Sequence, residues 1–249
     1  MNNYEERFYR NNLNSERFQT FEFSFFETDL WVAFSGNENI VKVREVVKNA
    51  VQKYRNQLDN YILNHKEFLI SYTPISPEKN APEIAKKMCH AALLANTGPM
   101  AAVAGAFSEF VGIDLLNSLN INELIIENGG DIFAHIKKDI TLSVYAGKSP
   151  LSEKIGIKIP PQFSPLGICT SAGTVGHSVS FGKADAVMIA CKNTLLADAY
   201  ATAFANKIQS VNDLPPVIEQ LKTLPHIISA ILIKDDKMAA CGQLELDFL

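Results

Sequence analysis

A run of short strand-like segments in the middle of the chain most constrains its fold. Seven candidates, of five to seven residues each, lie between Leu124 and Ile189 and are separated by turn residues: LIIEN, DIFAHI, ITLSVYA, KIGIKI, LGICTS, HSVSFG and ADAVMIA. Their lengths and their β-branched and apolar residues predict a sheet-rich middle. Helical patterns occur around this region and do not alternate regularly with the strands, which favours an α+β fold over a doubly wound sheet.

The flanking segments repeat one order of elements. The alternation from Phe21 to Phe34 predicts a hairpin, and helical spacing follows it to about Leu63. Near the end of the chain, a helix around Val217 precedes IISAILIK and MAACGQL, which flank a turn. A hairpin, helices and further strands in each half suggest a duplicated plan. No linker-like tract interrupts the chain, so we expect a single domain over residues 1–249.

Composition and charge exclude several classes of protein. The 249 residues carry a formal net charge of -4, which gives no long-range attraction to nucleic acid or to an anionic membrane. The N-terminus is polar where a signal peptide is apolar, and we expect no segment to reach the roughly 18 apolar residues that span a bilayer. These features predict a cytoplasmic protein, and a homodimer is the default expectation for its assembly.

Two glycines and a carboxylate lie between two of the predicted strands. Gly129 and Gly130 can adopt positive φ and expose backbone amides, as a phosphate or a flavin edge requires, and Asp131 can orient a polar ligand group. The alternative is an ordinary bulge or hairpin turn. The residue types leave both interpretations open.

A second carboxylate lies on a helix of small residues. Asp198 and Thr202 are four residues apart in LADAYATAFAN, so they share one helix face and can converge on a hard cation such as Mg²⁺. In the alternative, Asp198 is solvated and Thr202 bonds back to a carbonyl of its own helix.

Two further segments are candidate site elements. The small residues 101–106 permit close approach of a ligand or of another backbone, and tight packing on a sheet is the more common reason for such a run. The hydroxyl-rich stretch 168–182 contains His177, which can act as an acid or base at neutral pH or can be structural. Cys169 can be a nucleophile, although its apolar neighbours favour a buried small residue.

The order of these elements resembles the ApbE superfamily of FAD:protein FMN transferases. More closely, the chain resembles the UPF0280 branch of that superfamily. The resemblance covers nearly the whole chain from about Tyr4, and it rests on a set of motifs: ETDLWV, GPMAAVAGA, ENGGDI, CTSAGTVGHSVSFGKADAV and ADAYATA.

The resemblance implies a fold, a chemistry and a set of residues. The fold is T-fold-like, with mixed, largely antiparallel sheets packed with helices, and the chemistry is Mg²⁺-dependent cleavage of FAD with transfer of FMN to a threonine of an acceptor protein. Asp198 and Thr202 match the metal-ligand positions, and His177 lies near the position of a catalytic histidine. The implied cofactor contacts are Asn128, Gly129, Gly130, Asp131, Thr170 and Ser171.

The sequence also departs from the transferase pattern. The D-L-G-G-I-A-K-G and H-I-x-D-P elements have no counterpart, and TGPMAAVAG lacks the lysine of the first. Three hypotheses therefore remain open: flavin chemistry on FAD, a diverged enzyme acting on another phosphorylated or nucleotide-like metabolite, and a ligand-binding or partner-binding module without turnover.

Overall fold

The computed structural model describes residues 17–173 and 181–249. Its strands are β1 (Gln19–Phe25), β2 (Thr28–Gly36), β3 (Ile121–Asn128), β4 (Asp131–His135), β5 (Ile140–Ser143), β6 (Ile155–Ile159), β7 (Leu166–Ser171), β8 (Ala186–Cys191), β9 (Ile227–Lys234), β10 (Lys237–Gly242) and β11 (Glu245–Phe248). Its α-helices are α1 (Ile40–Asn64), α2 (Lys66–Ile70), α3 (Glu83–Ala95), α4 (Val103–Ser118), α5 (Thr194–Ala205) and α6 (Leu214–Lys222). A short 3-10 helix, Pro99–Ala102, leads directly into α4.

The strands form two antiparallel sheets. The larger has eight strands in the order β1-β2-β3-β4-β7-β8-β9-β10, and the smaller has the order β11-β6-β5. The predicted α+β fold with largely antiparallel sheets is confirmed. The order of a hairpin, helices and a hairpin occurs twice, first from β1 to β4 and then from β7 to β10, as the duplicated plan predicts.

The larger sheet is buried on both faces. Successive residues of β3 alternate between them: Leu124 and Ile126 pack in the core against the helices, whereas Ile125 packs in the core that includes the smaller sheet. This alternation is the period of two that a strand imposes. Side chains at the helix-facing positions of β4 and β7 therefore point toward α4 and α5.

The helical stretch Pro99–Ser118 corrects one expectation from the sequence. Its 20 residues are long and apolar enough to cross a membrane by length and composition. Most of the stretch is buried inside the protein, where α4 packs between α5 and the larger sheet, so its apolar character is that of a core helix.

Candidate metal and nucleotide site

The turn between β3 and β4 consists of Gly129 and Gly130. Their φ values are +68° and +102°, in the left-handed region that glycine adopts without steric cost. Asn128 pairs directly with Asp131 across the turn, and the Gly130 amide donates a 2.6 Å hydrogen bond to Glu127 Oε1. The hairpin-turn interpretation is therefore correct for the backbone, and the turn brings Asp131 to the first position of β4.

Asp131 is buried at the helix-facing side of the larger sheet. Only 7% of the residue is exposed, and its Oδ1 is buried with no hydrogen-bond partner among the described residues. Its backbone carbonyl accepts a 2.8 Å hydrogen bond from Ser108 Oγ of α4. Burial, and then the nearby charge of Asp198, raise the pKa of Asp131 well above its ordinary value.

Asp198 is the second buried carboxylate. Helix α5 begins after Asn193, whose side chain accepts a hydrogen bond from the Leu196 amide, and Asp198 lies in the next turn with 8% exposure. Its Oδ2 accepts a 2.8 Å hydrogen bond from the Gly105 amide of α4. Burial raises the pKa of Asp198 to about 7, although backbone hydrogen bonds from Gly105 and Ala104 lower it. The alternative of a solvated Asp198 is wrong.

Thr202 follows one helical turn after Asp198 and is half-buried. Residues four apart on a helix lie on the same face, so the Thr202 side chain projects from the face that carries the buried carboxylate. Its assignment as a metal ligand stays a prediction.

Gly105 allows α4 and α5 to approach each other closely. A Cβ at this position would lie 2.6 Å from the Thr194 carbonyl oxygen and 2.9 Å from Asp198 Cβ. Gly112, two turns later, meets the Phe133 ring of β4 in the same way, at 2.4 Å. Helix α4 therefore packs closely on α5 at Gly105 and on the sheet at Gly112. The sequence did not identify the Gly105 amide as a donor to Asp198.

The Thr-Ser element lies beside the Gly-Gly turn. Strand β7 pairs with β4, so that Cys169 is opposite Asp131, and the Thr170 amide donates a 3.2 Å hydrogen bond to the Gly130 carbonyl. Thr170 and Ser171 are both half-buried. Burial, followed by the charge of Asp131, raises the pKa of Cys169 well above its ordinary value, which keeps the thiol protonated and argues against a nucleophile.

Two predicted residues contribute less to the described geometry. Asn128 is buried, and its Nδ2 donates a 3.2 Å hydrogen bond to the Ala104 carbonyl, which connects the hairpin to the first turn of α4. His177 lies in the segment 174–180, outside the described residues, so its catalytic role stays a prediction.

Glu109 supports the start of α5 next to the site, a role that the sequence did not predict. Its carboxylate accepts hydrogen bonds from the Thr194 amide at 2.6 Å and from Asn193 Nδ2 at 3.1 Å. Burial raises the pKa of Glu109, and these contacts fix the first residues of α5 against α4. A lone glutamate in an apolar helix does not reveal a partner 84 residues away along the chain.

The two buried carboxylates suit a hard divalent cation. The orphaned Asp131 Oδ1 and the raised pKa of both aspartates show that the ionised pair needs a compensating positive charge. Within residues 17–173 and 181–249, no group of three or more His, Cys, Asp or Glu side chains could hold a metal ion. One or two carboxylates, completed by hydroxyl, water and phosphate oxygens, are the ligand set that Mg²⁺ accepts.

Two cavities in the described residues lie away from this cluster. One of about 350 Å³ is lined by Lys148, Ser149 and Asp185 with the β9–β10 turn, and one of about 190 Å³ lies between the sheets at Cys241 and Leu246. Neither is lined by Asp131 or Asp198, so the carboxylates and their contacts define the candidate site.

Two solved structures that share this architecture are flavin transferases. The flavin transferase ApbE from Vibrio cholerae has a TM-score of 0.60 at 12% identity, covering 90% of this chain and 96% of that one. The apo form of the Pseudomonas stutzeri flavinyl transferase ApbE has a TM-score of 0.58 at 14% identity, covering 90% and 94%. The fold is therefore that of the ApbE flavin transferases.

Sequence relatives are more specific. A family model described as "AbpE bacteria" matches residues 10–220. A UPF0280 protein of Methanocaldococcus jannaschii is 36% identical over 238 residues, which cover 88% of this chain and 94% of the relative. A UPF0280 protein of Methanococcus aeolicus is 39% identical over 207 residues, which cover 82% and 83%. The chain belongs to the UPF0280 family.

Proposed function

We propose that this protein binds FAD together with Mg²⁺ and cleaves the pyrophosphate bond, transferring FMN to a threonine of an acceptor protein. The observation that carries the proposal is the pair of buried carboxylates, Asp131 and Asp198, held beside the Gly-Gly turn. The ApbE fold supports the choice of a flavin nucleotide as the ligand. A cytoplasmic location, the acceptor protein and a homodimer are parts of the same proposal.

Asp198, Thr202 and Asp131 are the residues that would hold the cation. Asp198 is already oriented by the Gly105 amide, and Asp131 has an unused carboxylate oxygen. A Mg²⁺ ion held there would supply positive charge that neutralises pyrophosphate oxygens and the charge developing on the leaving phosphate.

The Gly-Gly turn and the Thr-Ser element form the adjoining surface for the nucleotide. Gly130 has a φ of +102°, which residues with a Cβ rarely adopt, so the turn favours a glycine here and no side chain covers its backbone. Half-buried Thr170 and Ser171 supply hydroxyl groups at the end of β7. These groups can orient phosphate oxygens by hydrogen bonds.

The proposed reaction is a displacement at phosphorus. The acceptor hydroxyl forms a bond to the phosphorus of the FMN half, the bond from that phosphorus to the bridging oxygen breaks, and AMP leaves with the bond's electron pair. The hydroxyl proton passes to a base, for which His177 is the candidate from the family resemblance. With water in place of the acceptor, the products are FMN and AMP.

A calorimetric titration of metal-free protein with FAD, with and without Mg²⁺, followed by chromatography for AMP and FMN, tests this function. We expect binding that requires Mg²⁺, together with release of AMP. Asp198→Asn should abolish the Mg²⁺ dependence and the release, because the amide removes the charge that holds the cation. Asp236→Asn, at an exposed turn, is the matched control and should behave as the wild type.

Two results would contradict the proposal in different ways. Binding of FAD without AMP release, even with acceptor candidates present, would favour a flavin-binding module. The absence of FAD binding, with Mg²⁺-dependent binding of another nucleotide, would favour a diverged enzyme.

A further inference from the structure

Two exposed aromatic residues form a pair near one end of α5. Tyr72 is 64% exposed and Phe181 is 60% exposed, and their ring centroids lie 5.3 Å apart at an interplanar angle of 77°. Aromatic side chains that are this exposed are not explained by the core, and they are suited to contact with a planar ligand. The two residues are 109 positions apart in the sequence.

The Phe181 side of the pair is fixed to the C-terminal end of α5. The Phe181 amide donates a 2.8 Å hydrogen bond to Asn206 Oδ1, and its carbonyl accepts one of 2.8 Å from Gln209 Nε2. A Cβ at Gly182 would lie only 1.9 Å from the Ala205 carbonyl oxygen. Phe181 is therefore held by the same helix that carries Asp198.

The Tyr72 side is fixed to the segment that enters α4. A Cβ at Gly98 would lie 1.7 Å from the Ser71 carbonyl oxygen and 3.1 Å from Tyr72 Cα. Gly98 immediately precedes the 3-10 helix Pro99–Ala102, which continues into α4 and its Gly105 amide. Tyr72 is therefore attached to the element that orients the Asp198 carboxylate.

The spacing along α5 fits a nucleotide. Asp198, Thr202 and Asn206 are four residues apart in turn, so they follow one face of the helix, and eight residues at 1.5 Å each give roughly 12 Å from first to last. This separation suits a molecule whose phosphates lie at Asp198 and whose ring reaches the aromatic pair at Asn206.

We propose that Tyr72 and Phe181 form a stacking platform for the planar ring of the nucleotide whose phosphates bind at the buried carboxylates: because the two rings are nearly perpendicular, one stacks on the ligand ring and the other meets its edge. This inference rests on the proposed function and names the residues that select a ring-bearing ligand over simple phosphates.

The ring can be the isoalloxazine or the adenine of FAD, and the chemistry of stacking is the same for both. Separate titrations with FMN and with AMP, each in the presence of Mg²⁺, show which of the two rings binds to the aromatic pair. The half whose affinity depends on Tyr72 and Phe181 is the half that occupies the platform.

The test compares leucine variants with ring-retaining variants. Tyr72→Leu combined with Phe181→Leu should weaken FAD binding in Mg²⁺ at least about ten-fold, because base–aromatic stacking contributes at this level. Binding of inorganic pyrophosphate in Mg²⁺ should stay within two-fold of the wild type. Tyr72→Phe and Phe181→Tyr retain the rings and should bind FAD like the wild type. Phe248→Leu, 74% exposed on β11, is the matched control.

The outcomes separate this inference from the proposed function. If the wild type binds FAD and the double leucine variant binds it within two-fold, the platform is overturned and the proposed function stands. If the double variant loses pyrophosphate binding as well, the rings act through the structure of the site and the platform is again overturned. If the wild type binds no FAD, the proposed function fails and the platform fails with it.

Discussion

The two halves of the molecule share one plan and differ in what is buried by the helix that follows the first hairpin of each half. Helix α1, between the hairpins of the first half, buries only apolar residues and tyrosines: Val43, Val47, Ala50, Val51, Tyr54, Leu58 and Tyr61. Helix α5, in the equivalent place of the second half, buries Asp198 among alanines. The repeated plan supplies a common scaffold. The candidate site lies in the half whose helix buries a carboxylate where the other helix buries apolar residues and tyrosines.

The second hairpin of each half shows the same contrast. In the first half, the Gly129–Gly130 turn leads directly into buried Asp131. In the second half, the turn at Asp235 and Asp236 is exposed, and both carboxylates form ion pairs with neighbouring lysines. Asp131 and Asp198 thus come from different halves, and the candidate site lies at the junction between them.

The largest expected effect comes from Gly105→Ala, because Gly105 lies where α4 of the first half packs against α5 of the second half. The new Cβ would lie 2.6 Å from the Thr194 carbonyl oxygen, a backbone atom that cannot move alone, so we expect a loss on the order of 3 kcal/mol in the free energy of unfolding. Mg²⁺-dependent FAD binding should be lost as well. Chemical denaturation and calorimetry measure the two effects.

Gly156→Ala is the control for this substitution, because its Cβ would meet side-chain atoms at 3.0 and 3.2 Å, far from the junction. We expect it to cost clearly less and to retain FAD binding. Equal effects of the two substitutions would show that close packing at the junction has no special part in the site.

The next largest effect is a pH dependence of the metal-free protein. The pKa of Asp198 is raised to about 7 in the folded state, so the native state binds more protons than the unfolded state between about pH 4 and pH 7. The sign follows: stability falls as the pH rises through this window, by up to about 1.4 kcal/mol per pH unit. Denaturation between pH 5 and pH 8 measures the effect, and Asp198→Asn should reduce the slope.

The same denaturation experiment, repeated in saturating Mg²⁺, tests whether a cation binds at the two carboxylates. A cation at the two carboxylates should stabilise the protein more at pH 8 than at pH 5, because protons compete with it at the lower pH. Equal stabilisation at both values would contradict cation binding by this pair.

A smaller pH dependence of stability, opposite in direction to that of Asp198, is expected from Glu123 in the first half. Burial raises its pKa, but hydrogen bonds from Arg17 and Lys137 outweigh it and hold the pKa at about 2. This carboxylate therefore stabilises the fold above its ordinary pKa of about 4.5, and the contribution is lost as the pH falls toward 2. Glu123→Gln should cost about 1–2 kcal/mol at pH 7 and little at pH 2. Unfolding curves at the two pH values measure it, and equal costs would argue against the ion pair.

The smallest effect is expected at the turn of the second half. Asp236 forms an exposed ion pair with Lys237, and such pairs contribute little in water. Asp236→Asn should leave the unfolding free energy unchanged within the error of the measurement. A larger loss, measured by the same denaturation, would show that the two hairpin turns are more alike than their burial indicates.

The sequence predicted local features well because they depend on neighbouring residues. The segments LIIEN and DIFAHI became β3 and β4, the helix around Val217 became α6, and the duplicated order of elements is present. The period of side chains and the turn residues carry this information.

Long-range contacts could not be predicted in the same way. Nothing near Asp131 shows that its carboxylate feels the charge of Asp198, 67 residues later. Nor does the sequence show that KIGIKI pairs with the C-terminal strand in the smaller sheet and not with the strands of the larger one. Both facts follow from the pairing of β4 with β7 and from the close contact of α4 with α5, which depend on the whole fold.

The junction also makes the site a reporter of assembly. Each half contributes one of the two carboxylates, and the Gly105 amide crosses from the first half to orient Asp198 of the second. A chain whose halves folded but docked in the wrong register would contain every residue of the candidate site and still lack the proposed cation site. The amount of bound Mg²⁺ would therefore measure the fraction of molecules whose two halves are docked natively. Secondary-structure content cannot measure this fraction, because correctly and wrongly docked chains contain the same helices and strands.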